Sequence, residues 1–250
     1  MERIYKESIL LRTCNCDLMG TWRPGQILEM MQETAGTHGE MIGFGRKVLL
    51  EKNLIWVISR LEVEMDRYPT IGETITVETF PMAVRRWFFP RYYLFRDVHG
   101  REIGRAGSLW LLMDLATRRM APPATVANLL PDNSDLLAPL GLPATVGDID
   151  GSISLGTYTP VYTDMDVNMH VNNTRYIDWC CNALGVDTMR NYQLNRFAVN
   201  YNAEIREGQS VQTRLCRLNN EFSFSGSEND VRHFIIGGTL TERALHLEQK

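Results

Sequence analysis

The sequence is poor in lysine and has no low-complexity tract and no long apolar run. Of its 26 basic residues only 4 are lysine, and 22 are arginine. No segment has the length and apolarity of a membrane span, and none has the pattern of a signal or transit peptide, so we expect a cytoplasmic protein. The formal net charge of -4 argues against general affinity for nucleic acid. With 44% hydrophobic residues over 250 positions, the chain can bury one large core or two small ones.

Cysteine is also scarce and is odd in number. The five cysteines are Cys14, Cys16, Cys180, Cys181 and Cys216. They lack the spacing of a metal site, and an adjacent pair on a helix cannot easily form a disulfide with itself. We therefore expect a reducing compartment and mostly buried thiols, and the sequence implies no metal and no organic cofactor.

The arginines are unevenly distributed along the chain. Eight of them lie in the stretch 85–119, where only Asp97, Glu102 and Asp114 oppose them, so the stretch carries 8 - 3 = +5. Arginine pairs bidentately with phosphate and carboxylate, which would suit an acidic partner that bears a phosphate. The same charges are equally typical of the solvated outer faces of sheet strands.

An internal repeat with an offset of 136 residues indicates duplication. Residues 60–63 (RLEV) are followed by 72–77 (GETITV), and residues 196–199 (RFAV) are followed by 208–213 (GQSVQT). Each copy has the pattern of a strand, a turn with glycine and a second strand.

One helical pattern precedes each strand pair. The first begins near Pro24 and ends at Gly43, and the second follows Asn172 or Asn173, either of which is a good N-cap, and ends at Gly185. We therefore predict an α+β protein with one unit over residues 1–125 and another over 151–250. The proline-rich residues 126–150 are predicted to be a linker.

Residues 166–172 (DVNMHVN) alternate polar and apolar side chains immediately before the second helix. In an extended chain Asp166, Asn168 and His170 would share one face, with the side chains of Val167, Met169 and Val171 on the core face. Unpaired N–H groups at the helix start could stabilise an oxyanion, and the three polar side chains could supply a base, which together would suit acyl transfer. The same pattern is also typical of an edge strand with a polar outer face that runs into a capped helix.

The run from Asp164 to Trp179 resembles the signature of the acyl-acyl-carrier-protein (acyl-ACP) thioesterase family. Residues 56–60 (WVISR), 66–69 (DRYP), 108–110 (SLW) and 117–119 (TRR) resemble that family's first-half motifs, in the expected order. The resemblance implies two tandem hotdog units, each an antiparallel sheet wrapped on a central helix. This architecture agrees with the independently found repeat.

The resemblance places the family's catalytic residues on Asp166, Asn168, His170 and Glu204. Plant members carry a cysteine directly after the glutamate, whereas this chain has Ile205, which excludes cysteine nucleophilic catalysis at that position. The implied activity is hydrolysis of the thioester of fatty acyl-ACP in fatty acid biosynthesis. Direct attack by water is expected, with Glu204 or Asp166 as the general base.

The resemblance also implies that the first unit holds the acyl chain. The side chains expected to line that pocket are Met30, Met31, Ile55, Trp56 and Phe89, each of which is equally plausible as a plain core residue. Arg175, near the second helix start, is a candidate contact for phosphopantetheine. The remaining histidines, His38, His99, His233 and His246, lie in no motif and are expected to be structural or solvated.

Two other functions fit the same residues. One is an acyl-CoA thioesterase, because the thioester and the pantetheine arm are the same in CoA and in the carrier protein. The other is a non-catalytic acyl-binding hotdog protein. The expected partners are acyl carrier protein and a fatty acyl substrate, and the sequence leaves monomer and homodimer open.

Overall fold

A computed structural model describes residues 2–243 of the chain, so His246 lies outside the described residues. The chain divides into two compact units, Met1–Thr145 and Val146–Lys250. Within the described residues, the longest helices are too short or too polar to cross a membrane. Each unit combines one antiparallel sheet with a pair of helices, which confirms the predicted α+β class.

The first unit contains five strands and two helices. In chain order they are β1 (Tyr5–Leu10), α1 (Pro24–Met41), α2 (Arg46–Glu51), β2 (Leu54–Met65), β3 (Thr74–Pro81), β4 (Phe89–Arg96) and β5 (Glu102–Asp114). The strands are hydrogen-bonded in the order β1-β3-β4-β5-β2, and every pairing is antiparallel. Helix α1 contacts β1 and β3 and buries Ile27, Leu28 and Met31. Its first residue is Pro24, whose missing N–H costs nothing at a helix start.

The second unit repeats this plan. Its elements are β6 (Ile153–Tyr158), α3 (Arg175–Leu184), α4 (Val186–Asn191), β7 (Tyr192–Tyr201), β8 (Val211–Leu218), β9 (Glu221–Glu228) and β10 (Val231–Glu242). The strand order is β6-β8-β9-β10-β7, again antiparallel throughout. In both units the helix pair lies between the first and second strands, and the second strand pairs with the fifth.

The glycines of the repeat occupy the same backbone conformation in both units. Gly72 has φ +87° and Gly208 has φ +79°, a left-handed region that favours glycine. The 136-residue offset therefore reflects a turn of one geometry, used twice before β3 and β8.

The proline-rich segment predicted to be a linker is anchored within each unit. In the first unit the Ala144 N–H donates to Glu62 Oε2 at 3.1 Å, and Asn133 Nδ2 donates to the Pro81 carbonyl at 2.8 Å. In the second unit the Val146 N–H donates to Asn200 Oδ1 at 2.7 Å. These bonds fix the chain on both sides of residue 145.

Three arginines of the stretch 85–119 are paired with acidic residues. Arg96 lies 3.3 Å from Glu78, Arg101 lies 2.7 Å from Asp97, and Arg105 lies 2.5 Å from Asp66. Glu78 and Asp66 belong to neighbouring segments of the chain, so a charge count within the stretch missed them. Its formal charge of +5 is therefore not displayed as one free basic surface.

Candidate active site

Residues 166–170 form a tight turn, not the extended strand that the alternating pattern predicted. The Asp166 carbonyl accepts the Met169 N–H at 3.0 Å, and the His170 carbonyl accepts the Asp166 N–H at 2.9 Å. The Asp166 carboxylate also accepts the Asn168 N–H at 2.7 Å, a local bond with which aspartate promotes turns. Val167 and Met169 are 83% and 61% exposed, so the prediction that they face the core is wrong.

The first unit contains the same turn. There Asp17 Oδ1 accepts the N–H of Met19 at 2.9 Å and that of Thr21 at 3.0 Å. Gly20 has φ +72° where the second unit has Met169 at φ +63°. Thr21 stands where the second unit has histidine, and its hydroxyl donates to Asp17. The turn is thus a shared scaffold, and only the second copy carries a histidine.

The structure brings His170 and Glu204 into contact. His170 Nε2 lies 3.1 Å from Glu204 Oε2, and both side chains are partly exposed. Arg206 Nη2 approaches the same carboxylate oxygen at 3.4 Å. An isolated bridge between His170 and Arg206 aligns the two segments, and the Val171 N–H donates to the Ile205 carbonyl at 2.8 Å. The fully buried Ile205 therefore fixes the backbone that presents Glu204 to the histidine.

Asp166 and Asn168 form a second contact beside this pair. Asn168 Nδ2 lies 3.4 Å from Asp166 Oδ2, and Asn168 is exposed. The amide nitrogen carries two hydrogens, so one remains available to a carbonyl oxygen of a substrate. Asp166 thus accepts hydrogen bonds from both the backbone N–H and the side-chain amide of Asn168, and orients both groups.

Tyr176 was not predicted as a site residue, although the charges of Asp166 and Glu204 both act on its phenol. Its side chain is buried against Trp179, Tyr201 and Phe234. Burial raises the pKa of the Tyr176 phenol well above its usual range, and the charges of Asp166 and Glu204 raise that pKa further. Hydrophobic periodicity in the sequence does not distinguish a tyrosine in a helix core from one at a site.

Asp164 is a second residue whose role sequence reasoning missed. Its buried carboxylate accepts Trp179 Nε1 at 3.0 Å, the Tyr158 hydroxyl at 3.0 Å and the Val161 N–H at 2.9 Å. Its carbonyl accepts the Asn172 N–H at 2.8 Å. Burial and the Asp164 carboxylate together raise the pKa of Tyr158 to about 12. Asp164 therefore holds the chain on both sides of the turn.

Four backbone donors between His170 and the first residue of α3 are already engaged. Helix α3 begins at Arg175 with Thr174 as its N-cap residue, later than the predicted Asn172 or Asn173. Asn172 still contributes, because its Oδ1 accepts the Thr174 N–H at 3.0 Å and its carbonyl accepts the Arg175 N–H at 2.9 Å. The N–H groups of Val171 and Asn172 are bound to Ile205 and Asp164. These four N–H groups are therefore not free to hold an oxyanion, and for the next N–H groups of α3 the expectation stays a prediction.

A cavity of ≈ 170 Å³ lies within the first unit. Trp56 and Phe89 line it, with their rings packed edge to face at 4.8 Å, and their assignment to an acyl-chain pocket stays a prediction. Met30, Met31 and Ile55 do not line this cavity. Neighbouring side chains on a strand point to opposite faces, so Ile55 and Trp56 cannot both face it. The lining comes from one face of α1 and the start of α2, from β2, β3, β4 and β5, and from Leu130.

Arg175 lies at the start of α3, as expected, and pairs with Asp178 at 3.2 Å. Its predicted contact with phosphopantetheine stays a prediction. Among residues 2–243 the structure groups no three histidine, cysteine, aspartate or glutamate side chains in a position to hold a metal ion.

The sequence matches two models of one family. Residues 2–126 match the model described as the acyl-ACP thioesterase N-terminal domain, and residues 150–239 match the corresponding C-terminal domain. The chloroplastic palmitoyl-acyl carrier protein thioesterase of Arabidopsis thaliana is 32% identical over 200 residues, which are 75% of this chain and 48% of that protein. The chloroplastic oleoyl-acyl carrier protein thioesterase of Coriandrum sativum is 26% identical over 230 residues, 84% of this chain and 61% of that protein. The chain spans about half the length of the curated relatives that it matches most strongly.

Solved structures agree with these matches. An acyl-ACP thioesterase from Bacteroides thetaiotaomicron superposes with a TM-score of 0.87 at 26% identity, covering 95% of this chain and 98% of that one. The 12:0-ACP thioesterase from Umbellularia californica superposes with a TM-score of 0.81 at 20% identity, covering 96% and 98%, a likeness that supports the fold alone. The predicted hotdog architecture is confirmed, and the chain belongs to the acyl-ACP thioesterase family.

Proposed function

We propose that the protein hydrolyses the thioester of fatty acyl-ACP and releases the free fatty acid. The observation that carries this proposal is the 3.1 Å contact between His170 and Glu204 beside the turn that presents Asn168. It gathers a base, a proton carrier and an amide donor at one place. These are the groups that attack by water on a thioester requires.

Glu204 is the general base in this proposal. Its carboxylate removes a proton from water while the water oxygen forms a bond to the thioester carbon. Asn168 donates its free amide hydrogen to the carbonyl oxygen as that oxygen becomes negative. The carbon–sulfur bond then breaks, and the proton passes from Glu204 through His170 to the thiolate. The products are a free fatty acid and the carrier thiol, so atoms and charges balance.

Asp166 is a positioning residue in this proposal. Its carboxylate is committed to the Asn168 N–H, and its second oxygen faces the Asn168 amide. The equivalent Asp17 makes the same turn in a unit without the histidine. A role in shaping the turn therefore accounts for the aspartate in both copies, and Glu204 is left as the base.

We further propose acyl carrier protein as the partner and fatty acid synthesis as the setting. Arg85 and Arg86 lie at the exposed tip between β3 and β4, beside the half-exposed Trp87. Exposed arginines next to an aromatic ring suit an acidic protein that bears a phosphate. The cytoplasmic location and the choice between monomer and homodimer stay predictions from the sequence.

The test is thiol release from acyl-ACPs of several chain lengths, with the matching acyl-CoAs in parallel. We expect Glu204→Gln and His170→Ala each to lower kcat by about 10²- to 10⁴-fold, the usual share of a general acid or base. His99→Ala is the matched control, because His99 is exposed in a hairpin of the first unit and should leave kcat unchanged.

Each remaining outcome has a defined meaning. Equal kcat/KM for CoA and carrier thioesters would contradict the carrier protein as partner. Tight acyl binding by the wild-type protein without thiol release would make it a binding module. Full activity in Glu204→Gln and His170→Ala, with both proteins shown to be folded, would contradict the proposed mechanism.

A further inference from the structure

Arg91 on β4 is a buried cation that lines the cavity of the first unit. The residue is 6% exposed and follows Phe89 by two positions, so both side chains point to the cavity face of the strand. Within residues 2–243 the structure shows no carboxylate within salt-bridge distance of its guanidinium. A buried charge of this kind is costly unless a counter-charge or strong hydrogen bonds satisfy it.

The two groups that do contact Arg91 are neutral. Arg91 Nη1 lies 3.1 Å from His38 Nδ1 and 3.2 Å from Thr79 Oγ1. An arginine can only donate, so His38 Nδ1 accepts, and the proton of the ring sits on Nε2, which donates to the Glu2 carbonyl at 3.1 Å. His38 is therefore neutral, and it positions the cation without compensating its charge.

The remaining donors of Arg91 are available to a ligand. Both contacts use the two hydrogens of Nη1, whereas a guanidinium also carries hydrogens on Nε and Nη2. No hydrogen bond joins Nε or Nη2 to another described residue. The N–H groups of Nε and Nη2 are parallel and can bind a carboxylate in a bidentate manner.

The rest of the cavity is suited to hydrocarbon. Trp56, Phe89 and Trp110 contribute rings, and Gly36 and Gly39 of α1 leave its helical side without bulk. A cavity of about 150 Å³ holds benzene, so the ≈ 170 Å³ available here accommodates roughly six carbon atoms. The cavity therefore matches a short aliphatic chain or the end of a longer one.

We infer that this cavity binds an aliphatic carboxylate, with the carboxylate on Arg91 and the hydrocarbon against Trp56, Phe89 and Trp110. The ligand chemistry has two sources, a free fatty acid or the distal carboxylate of a chain held as a thioester. The binding claim does not require turnover, so it stands or falls separately from the proposed hydrolysis.

The test is calorimetric titration of the full chain with hexanoate and with 1-hexanol, which differ in charge at equal chain length. We expect hexanoate to bind at least about 30-fold more tightly than hexanol, because a carboxylate makes charge-assisted bonds with arginine. Arg91→Met should remove this preference and leave hexanol binding unchanged. Arg91→Lys should keep part of it, since the charge remains without the fork.

Arg46→Met is the matched control, because Arg46 lines the same cavity but is exposed. Its hexanoate affinity should stay within about 2-fold of wild type, the change expected for a solvated charge. Equal binding of hexanoate and hexanol by the wild-type protein would overturn the inference without any variant. Carboxylate preference that disappears in Arg46→Met but persists in Arg91→Met would also overturn it.

A second arm separates the two sources. The Glu204→Gln protein is titrated with the pantetheine monothioester of octanedioic acid and with octanoyl-pantetheine. Tighter binding of the dicarboxylic thioester, lost in the double variant with Arg91→Met, assigns the site to a distal carboxylate. Equal binding of the two thioesters alongside tight hexanoate binding assigns it to free fatty acid.

Discussion

Asp17 and Asp166 occupy equivalent positions in the two units of this protein. Each carboxylate accepts the backbone N–H two residues further on, at 2.9 Å from Met19 in one unit and 2.7 Å from Asn168 in the other. One aspartate works in a turn without a histidine, and the other lies next to the proposed hydrolytic residues. Comparing the two aspartates therefore distinguishes a structural role in the turn from a role in the proposed catalysis.

Asp166→Asn should separate these two roles. Asparagine also promotes this turn, so we expect the free energy of unfolding to change by less than about 0.5 kcal/mol. Its amide nitrogen would, however, face the donor nitrogen of Asn168, and we expect kcat to fall about 10- to 100-fold through misorientation. Denaturant unfolding and thiol release measure the two effects.

Asp17→Asn is the control for that variant and should change neither quantity. A full rate in Asp166→Asn would show that Asp166 does not orient Asn168. A loss as large as that of Glu204→Gln would identify Asp166 as the base.

Met169→Gly should stabilise the protein. Met169 adopts φ +63°, a conformation that costs a side chain about 1 kcal/mol and that glycine adopts freely. We expect the free energy of unfolding to rise by about 1 kcal/mol, measured by chemical denaturation. Gly20→Ala, at φ +72° in the equivalent turn, should lower it by a similar amount. The strain argument fails if the two variants shift stability in the same direction.

Asp164→Asn should destabilise the fold. The amide would present a donor where Tyr158, Trp179 or the Val161 N–H now donates, leaving at least one buried donor unsatisfied at a cost of about 1–3 kcal/mol. The melting temperature and urea unfolding report the loss. The comparison variant is Asp187→Asn, whose carboxylate is exposed and should matter by less than about 0.5 kcal/mol. Equal effects of the two substitutions would contradict a structural role for Asp164.

His38 should make stability depend on pH. Burial lowers the pKa of His38 below its usual 6.5, and the neighbouring Arg91 charge opposes protonation, although contact with Glu2 acts in the other direction. Below pH 6.5 the unfolded chain therefore binds a proton that the folded chain does not, and stability falls as the pH decreases, by up to about 1.4 kcal/mol per pH unit. Unfolding between pH 7 and 5 should show a smaller slope in His38→Gln, which cannot titrate. Identical slopes in the two proteins would rule out this contribution.

The sequence predicted the duplication because each unit carries the same local signals. Gly72 and Gly208 both require positive φ, and the strands around them keep their pattern. The matching turns before the helices have an offset of 166 - 17 = 149 residues, so the 136-residue repeat alone does not align them. Much of the difference between the two offsets arises because α1 has 18 residues whereas α3 has 10.

The sequence indicated candidate site residues but not the backbone conformation that carries them. A polar–apolar alternation fits a strand, and periodicity alone cannot show that the Asp166 side chain closes a turn. Arg91 illustrates a second limit. In the sequence it belongs to a basic stretch, and only the packing of α1 against the sheet places it beside His38.

Ile205 makes the proposed hydrolytic site independent of a thiol group. It is fully buried directly after Glu204, where the family resemblance implied a cysteine in plant members, so the proposed hydrolytic residues contain no sulfur. Burial also holds the pKa of the Cys180 thiol well above its usual range, which keeps it protonated and unreactive. Alkylating reagents and peroxide would then find their most accessible thiol at Cys14, in the other unit. The proposed hydrolysis should therefore continue under oxidative conditions that inactivate a thiol-dependent enzyme.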